Sequence, residues 1–240
     1  MNSFWYNLLT TATRVCGSWL FIAVSRVIAA GYFIFSRRTA ESRRFYALLF
    51  PMTSRLHHNW CTFKQYQNFT TIHFDRFLGA QSQAATYTSQ GWEKLDKVIG
   101  KQGGILLMSH HGNWEMAATL LKQQRDDLRL LLYMGVKEKE GVERLQKEDL
   151  QKAGVTIIGV EQESNSPFTA VEGIRFLQSG GLVSMAGDVV WRSDQRKVAV
   201  NFLGGQAFLP EAPFIFAMIS GAPLFAFFAF RAGRNSYHIT

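Results

Sequence analysis

The sequence predicts an α/β fold, in which a mostly parallel sheet is flanked by helices and preceded by N-terminal membrane-associated helices. Two observations predict it. Short apolar runs alternate with amphipathic segments after about residue 100, which is typical of a parallel sheet with crossover helices. Before them lies a long apolar stretch followed by arginines. Hydrophobic residues make up 47% of the 240-residue chain and charged residues 18%, which excludes a disordered chain.

The N-terminal segment combines the strongest apolar run with most of the excess positive charge. Residues 1–60 hold seven arginines and one acidic residue, and the whole chain carries a net charge of +8. The apolar run is longer than a signal-peptide core and ends in Ser36-Arg37-Arg38, so we expect no cleavable signal. Arg26 near its middle would cost roughly 2.5 to 3.5 kcal/mol in a membrane span. We therefore predict a membrane-anchoring or interfacial helix over residues 1–38, with a buried helix of a soluble core as the alternative.

The remaining chain, residues 39–240, is predicted to form one α/β domain with a helical lead-in over residues 39–78, broken near Pro51. A polar link from Gly79 to Gln90 follows. The last residues, "NSYHIT", alternate like an unfinished strand, so we expect a further C-terminal portion.

Five apolar runs are predicted as buried strands, and the segments between them as helices. The strands are Gly104–Met108, Leu128–Met134, Val155–Val160, Leu182–Ala186 and Leu224–Phe230, and the helices are Trp114–Gln124, Glu138–Lys152, Pro167–Gln178 and Pro210–Ser220. In parallel sheets the functional groups lie beyond the carboxyl ends of the strands.

The stretch "SHHGNWE", residues 109–115, follows one of these strands directly. A turn through Gly112 would bring the carboxylate of Glu115 back onto the imidazole of His110. In such a pair the carboxylate stabilises the imidazolium while the other ring nitrogen takes a proton from a substrate hydroxyl. The backbone N–H groups of Gly112 to Trp114 open the next helix and are candidates for stabilising an anion.

A histidine that only makes a structural hydrogen bond is the alternative to a catalytic base at this position. A zinc site is the other alternative, since His110, His111 and Glu115 are possible ligands. The HExxH pattern is absent and no ligand beyond these residues is evident, so we expect neither a metal nor a cofactor.

The block "HHGNWE" resembles the H-x4-D/E motif of the bacterial lipid A biosynthesis (lauroyl/myristoyl) acyltransferases, within the lysophospholipid acyltransferase superfamily. His110 matches the histidine of the motif and Glu115 its acid. A second run is similar to the family in order and spacing: an aspartate after a strand, a Phe-Gly turn, a proline-led helix and a Ser-Gly-Ala-Pro turn. These features correspond to Asp188, Phe202 to Gly205, Pro210 and Ser220 to Pro223. The charged segment at residues 137–154 lacks the Asn-Pro and Arg pattern of the family.

The resemblance implies O-acyl transfer by a His110/Glu115 general-base pair, with Gly112, Asn113 and Asp188 as substrate-binding residues. The implied donor is acyl carrier protein or acyl-CoA, and the implied acceptor is a hydroxyl of a lipid or glycolipid. It also implies a location at the bacterial inner membrane with the site on the cytoplasmic side.

Three other functions are weighed against this one. An acyl hydrolase or thioesterase would use a similar base, but the G-x-S-x-G pattern of serine hydrolases is absent. A non-catalytic lipid-binding homologue would keep the fold without turnover. Nucleic acid is not expected as a partner, because the arginines lie among apolar and aromatic residues that suit a membrane surface better.

Overall fold

The structure is a computed structural model, and it describes residues 8, 11–13, 15–79, 86–136, 141–161, 167–190, 194–233 and 236–240. The chain divides into two compact units. The first comprises Met1–Ala84 and Asn201–Gln206, and the second comprises Ala85–Val200 and Ala207–Thr240. The predicted division at residue 38 concerns membrane anchoring and stays a prediction.

The N-terminal unit is helical. Within its described residues the helices are α1 (Ser18–Phe35), α2 (Thr39–Leu49) and α3 (Arg55–Gly79). A buried hydroxyl, that of Thr39, joins all three: it donates to the Phe33 carbonyl at the end of α1 and lies 3.2 Å from the Tyr66 hydroxyl on α3. Phe33 also packs edge-on against Phe63, with ring centroids 5.6 Å apart. The break between α2 and α3 falls at Pro51, as predicted.

Membrane-spanning potential is limited in this unit. Among the helices that the structure describes, none alone is long and apolar enough to cross a membrane. The pair Trp19–Phe35 and Thr39–Leu49 meets the length and composition criteria jointly, and it is bent by 88°.

The second unit contains a seven-stranded, mostly parallel sheet. Its strands are β1 (Thr86–Ser89), β2 (Gly104–Gly112), β3 (Leu130–Val136), β4 (Val155–Glu161), β5 (Leu182–Ala186), β8 (Leu224–Gly233) and β9 (Ser236–Ile239), while β6 (Lys197–Phe202) and β7 (Gly205–Pro210) form a separate two-stranded sheet. The order in the larger sheet is β1-β9-β8-β2-β5-β3-β4, and among the described residues its pairs are parallel except for the antiparallel β8–β9 pair. The helices of the same part of the chain are α4 (Trp92–Asp96), α5 (Trp114–Gln124), α6 (Gly141–Lys152), α7 (Pro167–Gln178) and α8 (Ala212–Ser220).

Both faces of the sheet are covered by apolar side chains, which alternate along each central strand. Leu106 on β2 packs with the core that includes α5, whereas its neighbour Ile105 packs with the core that includes α7 and α8. Leu182 and Val183 on β5 divide in the same way. These strands therefore have continuous apolar runs because both of their faces are buried.

The predicted mostly parallel α/β architecture is confirmed. Every strand that the sequence predicts is present, with the ends shifted by a few residues, and α5 and α7 have the predicted bounds. The prediction that helices precede the sheet is confirmed as secondary structure, and their membrane association stays a prediction.

Two strand regions were not predicted, β1 and the β6–β7 pair. The segment from Gly79 to Gln90, predicted as a polar link, contains β1. Most residues of β1 are exposed, so the strand shows no alternation of apolar and polar residues. β6 and β7 form a hairpin in a region where the sequence indicated only a turn. The C-terminal alternation does form a strand, β9, which pairs with both β1 and β8.

Candidate active site

The candidate site lies at the carboxyl ends of two neighbouring parallel strands, β2 and β5. In the register of this pair, Leu106 lies opposite Ser184, and Met108 lies opposite Ala186. Two residues further along each chain come His110 and Asp188. Parallel pairing therefore brings these two polar residues to the same edge of the sheet, although 78 residues separate them.

His110 makes two contacts with the Asp188 carboxylate. Its backbone N–H donates to Oδ2 at 2.6 Å, and its ring Nδ1 lies 3.1 Å from Oδ1. An ionised carboxylate only accepts hydrogen bonds, so Nδ1 carries the proton and Nε2 is left as the basic nitrogen of the neutral ring. The carboxylate thereby fixes both the tautomer and the orientation of the imidazole.

A bulge in β2 presents this histidine. Met108 pairs with Phe227 on β8, and Gly112 pairs with Ala229, so four steps along β2 match only two along β8. The surplus residues include His110, which lies in this bulge. Bulges commonly redirect a side chain at a functional site. Here the side chain of His110 remains 50% exposed, while Asp188 is 31% exposed, so a substrate can reach the ring.

Gly112 ends the strand in a conformation and a space that suit only glycine. Its φ is +101°, and a Cβ atom built there would lie 2.4 Å from the Ala229 carbonyl oxygen. The lack of space for a Cβ atom follows from the close approach of β2 and β8 at this point, and glycine alone adopts the positive φ without strain. Glycine thus allows the chain to leave the sheet and begin α5 two residues later.

Asn113 has structural contacts that account for most of its polar groups. Its backbone N–H donates to the Ala229 carbonyl at 2.8 Å, and its side chain caps α5 by accepting from the Met116 N–H at 3.3 Å. The side-chain amide also donates to the Tyr237 hydroxyl at 3.2 Å. The Asn113 N–H therefore takes part in the pairing of β2 with β8, which extends further along the chain than the sequence predicts. Substrate binding by Gly112 and Asn113 stays a prediction.

The His110–Asp188 contact changes the acidity of both groups. The hydrogen bond from the ring to Asp188 raises the pKa of His110 above its ordinary value, although burial opposes the shift. Burial alone would raise the pKa of Asp188, but the hydrogen bonds from the His110 ring and backbone outweigh it and leave this pKa below its ordinary value. The pair therefore favours an imidazolium beside a carboxylate.

The other motif residues occupy different positions. Glu115 is the second residue of α5, and its side chain lies outside what the structure describes, so the predicted His110–Glu115 pair stays a prediction. The exposed ring of His111 packs edge-on against Phe230, with centroids 5.2 Å apart. Within the described ranges, no group of three His, Cys, Asp or Glu side chains is arranged to hold a metal ion.

The sequence matches a known protein family over nearly its whole length. The family model of the bacterial lipid A biosynthesis acyltransferases matches residues 6–240. The chain belongs to this family. No protein of curated function matches the sequence. As a lipid A biosynthesis acyltransferase, the protein is an enzyme that transfers an acyl group from a donor to a lipid-type acceptor.

The contact between Asp188 and His110 is the feature of this acyltransferase that sequence reasoning missed. Asp188 was assigned to substrate binding, and no contact with the histidine was predicted. A signal was present: both residues directly follow buried strands, and the carboxyl ends of parallel strands meet at one edge. The order of the strands, which makes β2 and β5 neighbours, was not readable from the sequence.

We predict that Gly112→Ala destabilises the fold more than Gly91→Ala does. Gly91 also has a positive φ, of +83°, but a Cβ there meets nothing within 4 Å. Its substitution should cost only the backbone strain of about 1–2 kcal/mol, whereas Gly112→Ala adds a clash with the Ala229 carbonyl. Chemical denaturation of both variants measures the difference. Equal losses would show that β8 moves away freely from position 112.

We predict that Asp188→Asn lowers the pKa of His110 towards about 6.5, its value without a partner. The amide keeps an acceptor for the backbone N–H but removes the charge that favours the imidazolium. Titration of the His110 ring protons by NMR measures the shift, with Glu115→Gln as the matched carboxylate-to-amide variant. A larger decrease in Glu115→Gln than in Asp188→Asn would identify Glu115 as the dominant partner.

Proposed function

We propose that this protein is a membrane-associated O-acyltransferase, in which His110 acts as general base. It moves a fatty acyl chain from an acyl thioester, carried by acyl carrier protein, to a hydroxyl of a lipid or glycolipid. The observation that carries the proposal is the half-exposed His110 ring, which has its Nδ1 held by Asp188 and its Nε2 left as a base. Membership of the lipid A acyltransferase family supports the acyl transfer itself.

The chemistry needs one base and no enzyme-bound acyl intermediate. His110 Nε2 takes the proton of the acceptor hydroxyl as the oxygen attacks the thioester carbonyl carbon. The tetrahedral intermediate then breaks its C–S bond, and the imidazolium returns the proton to the leaving thiolate. The products are an ester and a free thiol, so protons and charge balance. General-base catalysis of this kind contributes about 10²- to 10⁴-fold to the rate.

Asp188 supports this proton transfer in two ways. It holds the ring in the tautomer that exposes Nε2, and it stabilises the imidazolium that forms during attack. The contact with Asp188 raises the pKa of His110, so the ring becomes neutral at a higher pH than an isolated histidine does. Because only the neutral ring can accept a proton, kcat/KM should increase as the pH rises through this pKa. The carboxylate of Glu115, which the family resemblance places in the pair, is a second candidate for the same role.

The donor is inferred from charge and chemistry. The chain has a net charge of +8, which suits an acidic carrier protein more than it suits a neutral one. Acyl-CoA, whose phosphates are also anionic, is the other thioester donor compatible with this charge. Competition between the two donors in a transfer assay distinguishes them.

Membrane association is inferred from the surface of the N-terminal helices. Large apolar side chains are exposed along α1, among them Trp19, Val27 and Phe35. Exposed arginines follow at residues 37, 38, 43 and 44. Exposed apolar side chains beside clustered arginines are typical of a surface that binds anionic lipid headgroups. We place the enzyme at the bacterial inner membrane with its site on the cytoplasmic side, where acyl thioesters are made.

We predict that His110→Ala lowers kcat/KM for acyl transfer by about 10²- to 10⁴-fold, because the general base is lost. The matched control is His111→Ala, the neighbouring imidazole, which should retain activity within a few-fold. The assay follows a labelled acyl thioester and separates acylated lipid from free fatty acid.

Two outcomes would contradict the proposal. Unchanged transfer in His110→Ala would exclude the base. Free fatty acid as the only product of the unaltered enzyme would replace the transferase with a hydrolase.

We predict that the full chain binds vesicles of anionic lipid and that replacing Arg37 and Arg38 by Ser weakens binding. Each arginine near an anionic surface contributes about 1 kcal/mol, so the double variant should bind roughly 30-fold more weakly. Vesicle sedimentation at several salt concentrations measures this. Arg175→Ser on α7 is the control for loss of charge elsewhere. An equal loss in both variants would exclude a specific role for the N-terminal arginines.

A further inference from the structure

A thiol and an imidazole lie in contact on α3, in the helical unit. Cys61 Sγ is 3.4 Å from His57 Nε2, which is within the distance of a hydrogen bond to sulfur. The two residues are four positions apart, so they lie on adjacent turns of one helix face. His57 is exposed and Cys61 is partly exposed, so a reagent in solution can reach both. A nucleophile beside a base is the arrangement that favours covalent modification.

The start of α3 and the end of α2 hold this imidazole and thiol in place. The Ser54 hydroxyl accepts a hydrogen bond from the His57 backbone N–H at 3.3 Å. The Phe50 ring packs edge-on against the His57 ring, with centroids 5.4 Å apart. Burial raises the pKa of Tyr46 on α2, and the charge of an ionised Cys61 nearby raises it further. Tyr46 therefore stays neutral beside the thiol, and His57 is the group placed to take the thiol proton.

The surface next to this pair suits a ligand with an apolar part and an anionic part. Leu56 and Trp60 each precede one member of the pair, lie one helical turn apart, and are 78% and 55% exposed. Lys64 continues the same row, with its ammonium 4.8 Å from the centroid of the Trp60 ring. Exposed apolar side chains beside a cation are typical of surfaces that bind anionic amphiphiles. An acyl thioester of coenzyme A or of a carrier protein is such an amphiphile.

We propose that Cys61 is a site of S-acylation, at which an acyl thioester transfers its acyl chain to the thiol with His57 as the base. The inference rests on the proposed function for its reactant, an acyl thioester, but it involves neither His110 nor the unit that contains His110. The modification places a hydrocarbon chain on α3, beside the exposed Leu56 and Trp60. The helical unit thereby gains a covalent lipid in addition to its own apolar side chains.

The reaction is an exchange of one thioester for another. His57 Nε2 takes the proton of the thiol as Cys61 Sγ attacks the carbonyl carbon of the donor. The tetrahedral intermediate breaks its bond to the donor sulfur, and the imidazolium returns the proton to the leaving thiolate. The products are S-acylated Cys61 and a free thiol, so atoms and charge balance and no oxidant is needed. The exchange is reversible, because the bond formed and the bond broken are of the same kind.

The first test is direct detection of the modification. The full chain is incubated with palmitoyl-CoA and followed by intact mass and peptide mapping. One acyl group should appear on Cys61, and neutral hydroxylamine should release it, as it releases a thioester. Cys61→Ser should abolish the modification, whereas Cys16→Ser, which replaces the other and exposed cysteine, should leave it unchanged. Equally fast acylation of Cys16 and Cys61 would overturn the proposal, since it would show that any accessible thiol reacts.

The second test concerns the base. A free cysteine thiol is only a few per cent ionised near pH 7, so a base can accelerate its reaction by up to about 30-fold. His57→Gln should therefore lower the acylation rate about 10- to 30-fold near pH 7. The deficit should shrink towards about pH 9, where a thiol ionises without help. A deficit that is the same at every pH would indicate a merely structural histidine and would overturn the role of His57.

His58→Gln is the matched control for this variant. The His58 ring lies on the next position of α3, but its Nε2 is 3.0 Å from the Thr53 hydroxyl and 3.1 Å from the Phe50 carbonyl oxygen. This variant should keep the acylation rate of the unaltered chain. Equal deficits in His57→Gln and His58→Gln, or no deficit in His57→Gln, would contradict the proposal.

Two variants separate this inference from the proposed function. His110→Ala should lose acyl transfer to lipid and keep acylation of Cys61, and Cys61→Ser should do the reverse. If Cys61 is acylated but the unaltered chain forms no acylated lipid, the modification site stands and the proposed reaction is wrong. If lipid is acylated while Cys61 stays unmodified, the reaction stands and the modification site is wrong. Loss of Cys61 acylation in His110→Ala would overturn the role of His57, because the chain would then reach the thiol through the active site.

Discussion

Parallel pairing of β2 with β5 is the constraint on which the site depends. The two strands are 70 residues apart in sequence, and only their register places His110 beside Asp188. The carboxylate then binds the backbone and the ring of one histidine at the same time. A shift of this register by one residue would turn the side chains to opposite faces and separate the pair. The strands can hold the register because both of their faces are buried in apolar cores.

The junction between β2 and α5 serves both the site and the core. The bulge presents His110 to solvent, Gly112 allows close contact with β8, and Asn113 caps the helix that follows. The same helix then covers the apolar face of the sheet. One short segment thus joins the half-exposed His110 to the buried core of the sheet.

Most of the net positive charge and most of the exposed large apolar side chains belong to the helical unit. A buried threonine hydroxyl and aromatic contacts join the three helices of this unit, so their apolar side chains can remain exposed without loss of the fold. The residues proposed for membrane binding and those proposed for proton transfer therefore belong to different units of the chain.

The α/β class, the main strands and helices, and the motif that contains His110 follow from the sequence alone, because hydrophobic periodicity and local motifs depend on residues close together in the chain. Edge strand β1, the β6–β7 hairpin and the bulge at His110 were decided by the tertiary structure. So was the contact of His110 with Asp188, for which the sequence offered Glu115 instead. Strand order and register join distant residues, and no local pattern in a single sequence specifies which strands become neighbours.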